Sequence, residues 1–182
     1  ARTGAGQLAK GGAGRMKKNK ITVLDGAARL KSANGSGPAV IVKGKDGKET
    51  TYQAKHKIIA TGARARTIPA AGLEPDGKFI WTAREAMTPD VMPGRLLVIG
   101  SGAIGIEFAS FYRAMGAEVT VVEMVDRILP VEDKDISAFA AKSFKKQGIE
   151  LKTNAAVEKL DKGKDTVTAH IKVKDGKVET AD

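Results

Sequence analysis

Gly100-Ser101-Gly102-Ala103-Ile104-Gly105 lies between two very different stretches of sequence. Ahead of it, Leu96-Leu97-Val98-Ile99 is short and continuously apolar, as a buried strand should be. Behind it, Ile104 to Met115 places Ile104, Phe108, Phe111 or Tyr112, and Met115 at helical spacing, and Gly116 stops the run. Glu118-Val119-Thr120-Val121-Val122 then reads as a second strand, with Glu123 at its C-terminal end. Strand, glycine turn, helix and strand in that order predict a βαβ unit of the Rossmann type.

Each turn residue has a physical task in such a unit. Gly100 permits a tight exit from the strand, Gly102 leaves room for a pyrophosphate against the backbone, and Gly105 lets the helix pack close to the sheet. The helix start offers free N–H groups and the positive end of a dipole to an anion. Glu123 is placed to accept hydrogen bonds from both hydroxyls of an adenosine ribose, and its charge would repel a 2′-phosphate. This argument predicts NAD over NADP; Arg127, close in sequence, works against it. The competing reading is a glycine-rich turn that holds no ligand. The agreement of buried strand, amphipathic helix and terminal acid weighs against that reading.

The rest of the chain reads as α/β. Ile21-Thr22-Val23-Leu24 is expected as a strand ended by Asp25-Gly26. Ala39-Val40-Ile41-Val42 and Glu49-Thr50-Thr51-Tyr52 flank Asp46-Gly47 and predict a hairpin. Lys57-Ile58-Ile59-Ala60 predicts a short buried strand. Pro69, Pro75, Pro89 and Pro93 break up a connector with one short helix near Thr82–Met87, where Thr82 and Glu85 would form a capping box. A second helix is expected from Lys134 to about Gln147, then a strand at Ile149–Lys152. A β-meander with an Asp175-Gly176 turn follows from Val157. Ala1 to Gly14 has no apolar period and is expected as a disordered tail or the torn end of a longer protein. The sheet looks unfinished at Asp182, so the sequence is expected to be truncated at both ends.

Several classes are disfavoured by composition. The chain has no cysteine, which excludes a disulfide framework and a thiolate metal site. Its two histidines, His56 and His170, lie far apart in Lys-rich stretches, and no metal site is expected. The net charge of +10 raises a nucleic-acid reading, but the lysines are scattered and aromatic content is 4%, leaving few stacking platforms. No apolar run approaches the roughly 20 residues that span a membrane.

Longer stretches carry a family resemblance. Val98 to Ala109, together with Met115-Gly116-Ala117-Glu118-Val119-Thr120-Val121-Val122-Glu123, resembles the NAD domain of the pyridine nucleotide–disulfide oxidoreductases. Ile58-Ile59-Ala60-Thr61-Gly62-Ala63-Arg64 with Pro69 is similar to the segment where that family's chain leaves its flavin domain. Asp126-Arg127-Ile128-Leu129-Pro130 with Asp133, and Met16 to Ile21, are similar to the dihydrolipoamide-oxidising branch.

The resemblance implies a homodimeric flavoprotein that passes two electrons from dihydrolipoamide, borne on a lipoyl domain, through a cysteine pair and FAD to NAD⁺. It implies service to the acyltransferase core of a 2-oxo-acid dehydrogenase complex, in a bacterial cytoplasm or a mitochondrial matrix. Residues 1–72 would then be part of an FAD-binding domain, 73–93 a connector, and 94–182 a truncated NAD-binding domain. By the same resemblance NAD would meet Gly100, Ser101, Gly102, Ala103, Ile104, Gly105, Glu123 and Val157, the last beside the adenine. FAD would meet Ala28, Thr61, Gly62 and Ala63. Ala103 would cover the flavin where nicotinamide enters, and Glu107 would be a supporting carboxylate close by. Redox cysteines and the family's His–Glu pair are absent, so no catalytic residue is assigned and the chain alone is expected to be inactive. The alternatives are another flavin disulfide reductase (a transhydrogenase, mercuric reductase or NADH oxidase) and a non-catalytic NAD-binding module.

Overall fold

The computed structural model describes residues 2–32 and 37–181. The chain divides into two compact units, Ala1–Gly62 and Ala63–Asp182.

The first unit opens with helix α1, Arg2–Lys18, and carries an antiparallel sheet of β1 (Gly26–Lys31), β2 (Ala39–Gly44) and β3 (Glu49–Tyr52). The expected disordered tail is therefore helical over its described residues; Ala1 lies outside them. Its exposed residues need no apolar period, and Arg15, Lys17 and Lys18 in the last turn suit the helix dipole. Lys20, at φ 56°, ends the helix in the left-handed region, with Ile21 N–H donating to Met16 O. The predicted hairpin is present. Gly47 takes φ 80° in the turn, and Val40 pairs with Tyr52. Two strand expectations fail. Residues 21–25 are not in a strand, which starts instead at Gly26. Residues 57–60 are also irregular, with Ile58 93% and Ile59 69% exposed. An apolar run becomes a strand only when a neighbour takes its backbone bonds, and none does so among the described residues.

The second unit is built in three layers. In the middle, β4 (Arg95–Ile99), β5 (Glu118–Val122) and β6 (Glu150–Lys152) form a parallel sheet in that order. Strand alternation sorts the side chains: Val119, Val121, Leu96 and Val98 enter one core, and Val122 and Leu97 enter another. The first core is covered by α3 (Ala103–Ala114) and α4 (Lys134–Lys146). The second is closed by an antiparallel meander of β7 (Ala156–Lys162), β8 (Val167–Lys172) and β9 (Val178–Ala181), through Ala169, Ile171, Val157 and Leu160.

The short helix α2 (Ala83–Ala86) carries the predicted capping box. Arg84 N–H donates to Thr82 Oγ1 at 3.2 Å, and Thr82 N–H donates to Glu85 Oε2 at 2.7 Å. The buried face of α3 agrees with the expected one at Tyr112 and in part at Phe108, which packs against the first core, and differs elsewhere. Ile106, Ala109 and Tyr112 are buried, whereas Ile104, Phe111 and Met115 are 63%, 52% and 59% exposed. Close approach at Gly105 turns its side of the helix to the sheet, so Ala109 and Tyr112, four and seven residues on, lie inward while Ile104 and Phe111 do not.

Asp76 organises the connector before α2. Its Oδ1 accepts from the N–H groups of Lys78, Phe79 and Ile80 at 3.0, 2.9 and 2.8 Å, and its Oδ2 pairs with Lys162 Nζ at 2.8 Å. Partial burial works against the charge. The Lys162 bond and the three backbone donors outweigh it and hold the carboxyl far below the usual Asp range. A depressed folded-state pKa contributes stability that is complete above the unfolded value of about 4 and is lost as pH falls below it. Asp76→Ala should therefore cost about 1–3 kcal/mol at neutral pH. In thermal melts of both chains, the gap should narrow as the buffer is taken below about pH 4; a gap that widens in acid would contradict this account.

Candidate functional site

The glycine turn and Glu123 meet at the C-terminal edge of the parallel sheet, where ligands of open α/β sheets bind. Gly100 leaves β4 at φ 96°, with its N–H on Val122 O at 2.8 Å. Gly102 is the N-cap of α3 and has no side-chain cap; a Cβ added there would meet nothing within 4 Å. The backbone at Gly102 is thus open to an approaching group, beside a helix end whose first N–H groups lack a capping side chain. Gly105 is required for packing: a Cβ there would strike Gly100 O and come within 3.3 Å of Val98 Cγ1.

Glu123 is held from both sides. Its main chain is fixed by its own N–H on Lys152 O at 2.8 Å and by Ala155 N–H on its carbonyl at 2.9 Å. Its Oε2 accepts from Ser101 N–H at 2.9 Å and from Ser101 Oγ at 2.6 Å, while Oε1 accepts from Val125 N–H at 3.1 Å. Burial alone would raise its pKa. The Ser101 hydroxyl and the N–H groups of Ser101, Val125 and Met124 outweigh it, so the carboxyl titrates below the ordinary Glu value. The site therefore presents a fixed anion at neutral pH.

The other assigned positions fall in several settings. Ala103 and Ile104 are exposed in the first turn of α3, and Glu107 is exposed one turn on, with no partner among the described residues. Val157 is half-buried in β7 against the second core. Ser101 is fully buried, so its side chain is spent within the protein. In the first unit, Ala28 is exposed in β1 opposite Val42, and Thr61 and Gly62 are exposed and irregular, with Gly62 at φ 77°. Ala63, also exposed, opens the second unit.

Sequence reasoning missed the loop that braces the turn. Leu129, at φ 48°, donates its N–H to Ser101 O at 3.0 Å, and its own carbonyl accepts from the buried Ser137 Oγ at 3.0 Å. Arg127 is engaged inside the same loop, with Asp126 Oδ1 at 3.2 Å and Pro130 O at 3.0 Å. That engagement lessens its weight as a partner for a 2′-phosphate. A cavity of about 280 Å³ lies where this loop meets α4, lined by Arg127, Lys134, Ser137 and Leu151 among others; the glycine turn is not part of it.

Residues 4–182 match the family described as pyridine nucleotide-disulphide oxidoreductase, and the chain belongs to that family. Among curated proteins it is similar to the dihydrolipoyl dehydrogenase of Rhizobium etli, 51% identical over 92% of this chain and 37% of that one. The dihydrolipoyl dehydrogenase of Zymomonas mobilis is 48% identical over 96% and 36%. The chain thus spans little more than a third of the length of either of these curated relatives. Among solved structures, LpdA of Mycobacterium tuberculosis superposes with a TM-score of 0.85 at 29% identity, covering 98% of this chain and 38% of that one. A NAD-dependent persulfide reductase from A. fulgidus gives 0.72 at 28% identity, covering 93% and 32%. Family membership implies a flavin and a nicotinamide cofactor. The expected α/β fold of that family is observed. No helix among the described residues is long and apolar enough to cross a membrane.

Proposed function

We propose that this chain supplies the NAD-binding unit, and part of the flavin site, of a dihydrolipoamide-oxidising flavoprotein. The observation that supports it most is Glu123: a low-pKa carboxylate held at the sheet edge beside an uncapped helix start. In this reading Gly100, Gly102, Ala103, Ile104 and Gly105 form the backbone cradle for the pyrophosphate, Glu123 reads the adenosine ribose, and Val157 lies by the adenine. Ala28, Thr61, Gly62 and Ala63 give FAD main-chain contacts beside small side chains, and Glu107 stands near the nicotinamide end. Residues 1–72, 73–93 and 94–182 are the flavin-domain part, connector and NAD domain.

The whole reaction moves two electrons from a dihydrolipoyl group to NAD⁺, giving lipoamide, NADH and a proton. When bound, the flavin supplies the two-electron relay between thiols and nicotinamide. This chain's residues bind, orient and select; with no cysteine, they provide no thiol for the exchange. The partners in this reading are a lipoyl domain, the acyltransferase core of a 2-oxo-acid dehydrogenase complex, and a second copy of the parent protein. Its setting is the bacterial cytoplasm or the mitochondrial matrix.

Titration of the purified chain by NADH fluorescence tests the reading. Wild type should prefer NADH to NADPH. Glu123→Ala should weaken NADH by about tenfold to a hundredfold, the scale of a lost charge-assisted hydrogen bond, and relieve the repulsion of NADPH. A folded wild-type chain that binds neither dinucleotide, or both equally, would overturn it.

A further inference from the structure

We propose that Ser101 is a positioning residue for dinucleotide choice: its buried hydroxyl fastens one carboxylate oxygen of Glu123 and leaves the other for a ribose hydroxyl. The inference deepens the NAD reading above and rests on it. The first variable position of a glycine turn ordinarily needs no side chain, because the backbone does the work there. Here the side chain is fully buried and engaged. Ser101 gives two donors to a single oxygen, N–H at 2.9 Å and Oγ at 2.6 Å to Glu123 Oε2. A carboxylate oxygen offers two lone-pair sites, so Oε2 is filled. Ser101 itself cannot easily turn away, since its carbonyl is held by Leu129 N–H at 3.0 Å. A ribose hydroxyl is thereby directed to Oε1, which accepts from Val125 N–H at 3.1 Å. The serine touches no dinucleotide; it acts through the carboxylate. Without its hydroxyl, the carboxylate loses its shortest hydrogen bond and is held only by backbone N–H groups, those of Ser101 and Val125 among them, a looser grip that weakens ribose recognition and lets a 2′-phosphate displace it.

A double-mutant cycle separates this role from a direct contact and from a general loss of structure. Wild type, Ser101→Ala, Glu123→Ala and the double variant are titrated with NADH and with NADPH, with circular dichroism on each. Ser101→Ala should weaken NADH about tenfold, the scale of one charge-assisted hydrogen bond, without weakening NADPH. Added to Glu123→Ala, it should change neither affinity. Ser101→Cys keeps a weak donor in place and should give an intermediate preference; it also carries the test if the alanine variant does not fold. An unchanged NADH preference in Ser101→Ala, equal weakening of both ligands, or the same loss in the Glu123→Ala background would each overturn the proposal. If wild type prefers NADH and the Ser101 variants match it, only this inference fails. If folded wild type shows no preference, the NAD reading fails and takes this one with it.

Discussion

Gly105→Val should abolish the cooperative thermal transition of the unit that starts at Ala63. The Cβ of any side chain at this position would run into the carbonyl oxygen of Gly100 and sit 3.2 Å from its carbonyl carbon. Both obstacles are backbone, so no rotamer change relieves them. Relief requires α3 to lift from β4, which would loosen Ile106, Ala109 and Tyr112 from the first core. Overpacking costs about 1–3 kcal/mol when side chains can adjust, and more when they cannot. That is a large part of the roughly 5–15 kcal/mol holding a typical domain together. Gly105→Ala should already lower the melting temperature by about 10 °C. Gly102→Ala is the control, because its added methyl enters open space and should lower the melt far less than Gly105→Ala, by no more than the small loss of a poorer N-cap. Scanning calorimetry of the three variants decides it; a Gly105→Val chain that melts like wild type would mean that the close approach is not rigid.

Tyr112→Ala should be nearly as damaging, by the opposite mechanism. Tyr112 is fully buried on α3 and stands among Trp81, Phe108 and Phe111 at ring distances of 6.2, 6.4 and 5.2 Å. Its hydroxyl donates to Ala86 O at 2.6 Å and so ties α2 to α3. Removing a large buried aromatic costs about 3–5 kcal/mol, including the cavity left behind. In a unit of this size that is a fall of more than about 10 °C in melting temperature. Tyr112→Phe keeps the ring and loses one hydrogen bond, so it should cost only about 1 kcal/mol. Equal melts for the alanine and phenylalanine variants would show that the hydroxyl, not the packed ring, carries the stability.

The elements legible in the sequence are those whose signals are local and agree with one another. β4, the glycine turn, α3 and β5 each have a period, a stop and a neighbour that demand the same answer, and the Thr82–Glu85 box is a four-residue device complete in itself. Gly100 and Gly105 could be given their tasks in advance because a turn and a close approach are properties of the motif. What stayed hidden depends on neighbours far along the chain. Ile58 and Ile59 look like core by composition, yet no described strand takes their backbone. The buried face of α3 follows from how near Gly105 comes to the sheet, which a count of apolar residues does not register. Ser101 reads as part of an open Gly-Ser-Gly turn, and only the folded position of Glu123 shows that its hydroxyl is sealed and bonded. The bracing role of Leu129 and Ser137 gave no signal, because it is a relay of two hydrogen bonds, one from a main-chain N–H and one from a serine hydroxyl, made only once the loop is folded against the turn.

The main chain of Glu123 is fastened on both sides, by the carbonyl of Lys152, the last residue of β6, and by the N–H of Ala155 just beyond that strand. The placement of the Glu123 carboxylate is therefore a high-contact-order feature, whereas the glycine turn beside it is a local one. A folding intermediate holding only β4, α3 and β5 would possess the turn but not the aimed acid. On the proposed NAD reading, full affinity is expected only once the last strand of the parallel sheet is in place. By thermodynamic linkage, a dinucleotide bound as proposed would return stability to that strand and to Ala155 at the entry to the meander, chain that lies well after the glycine turn in sequence.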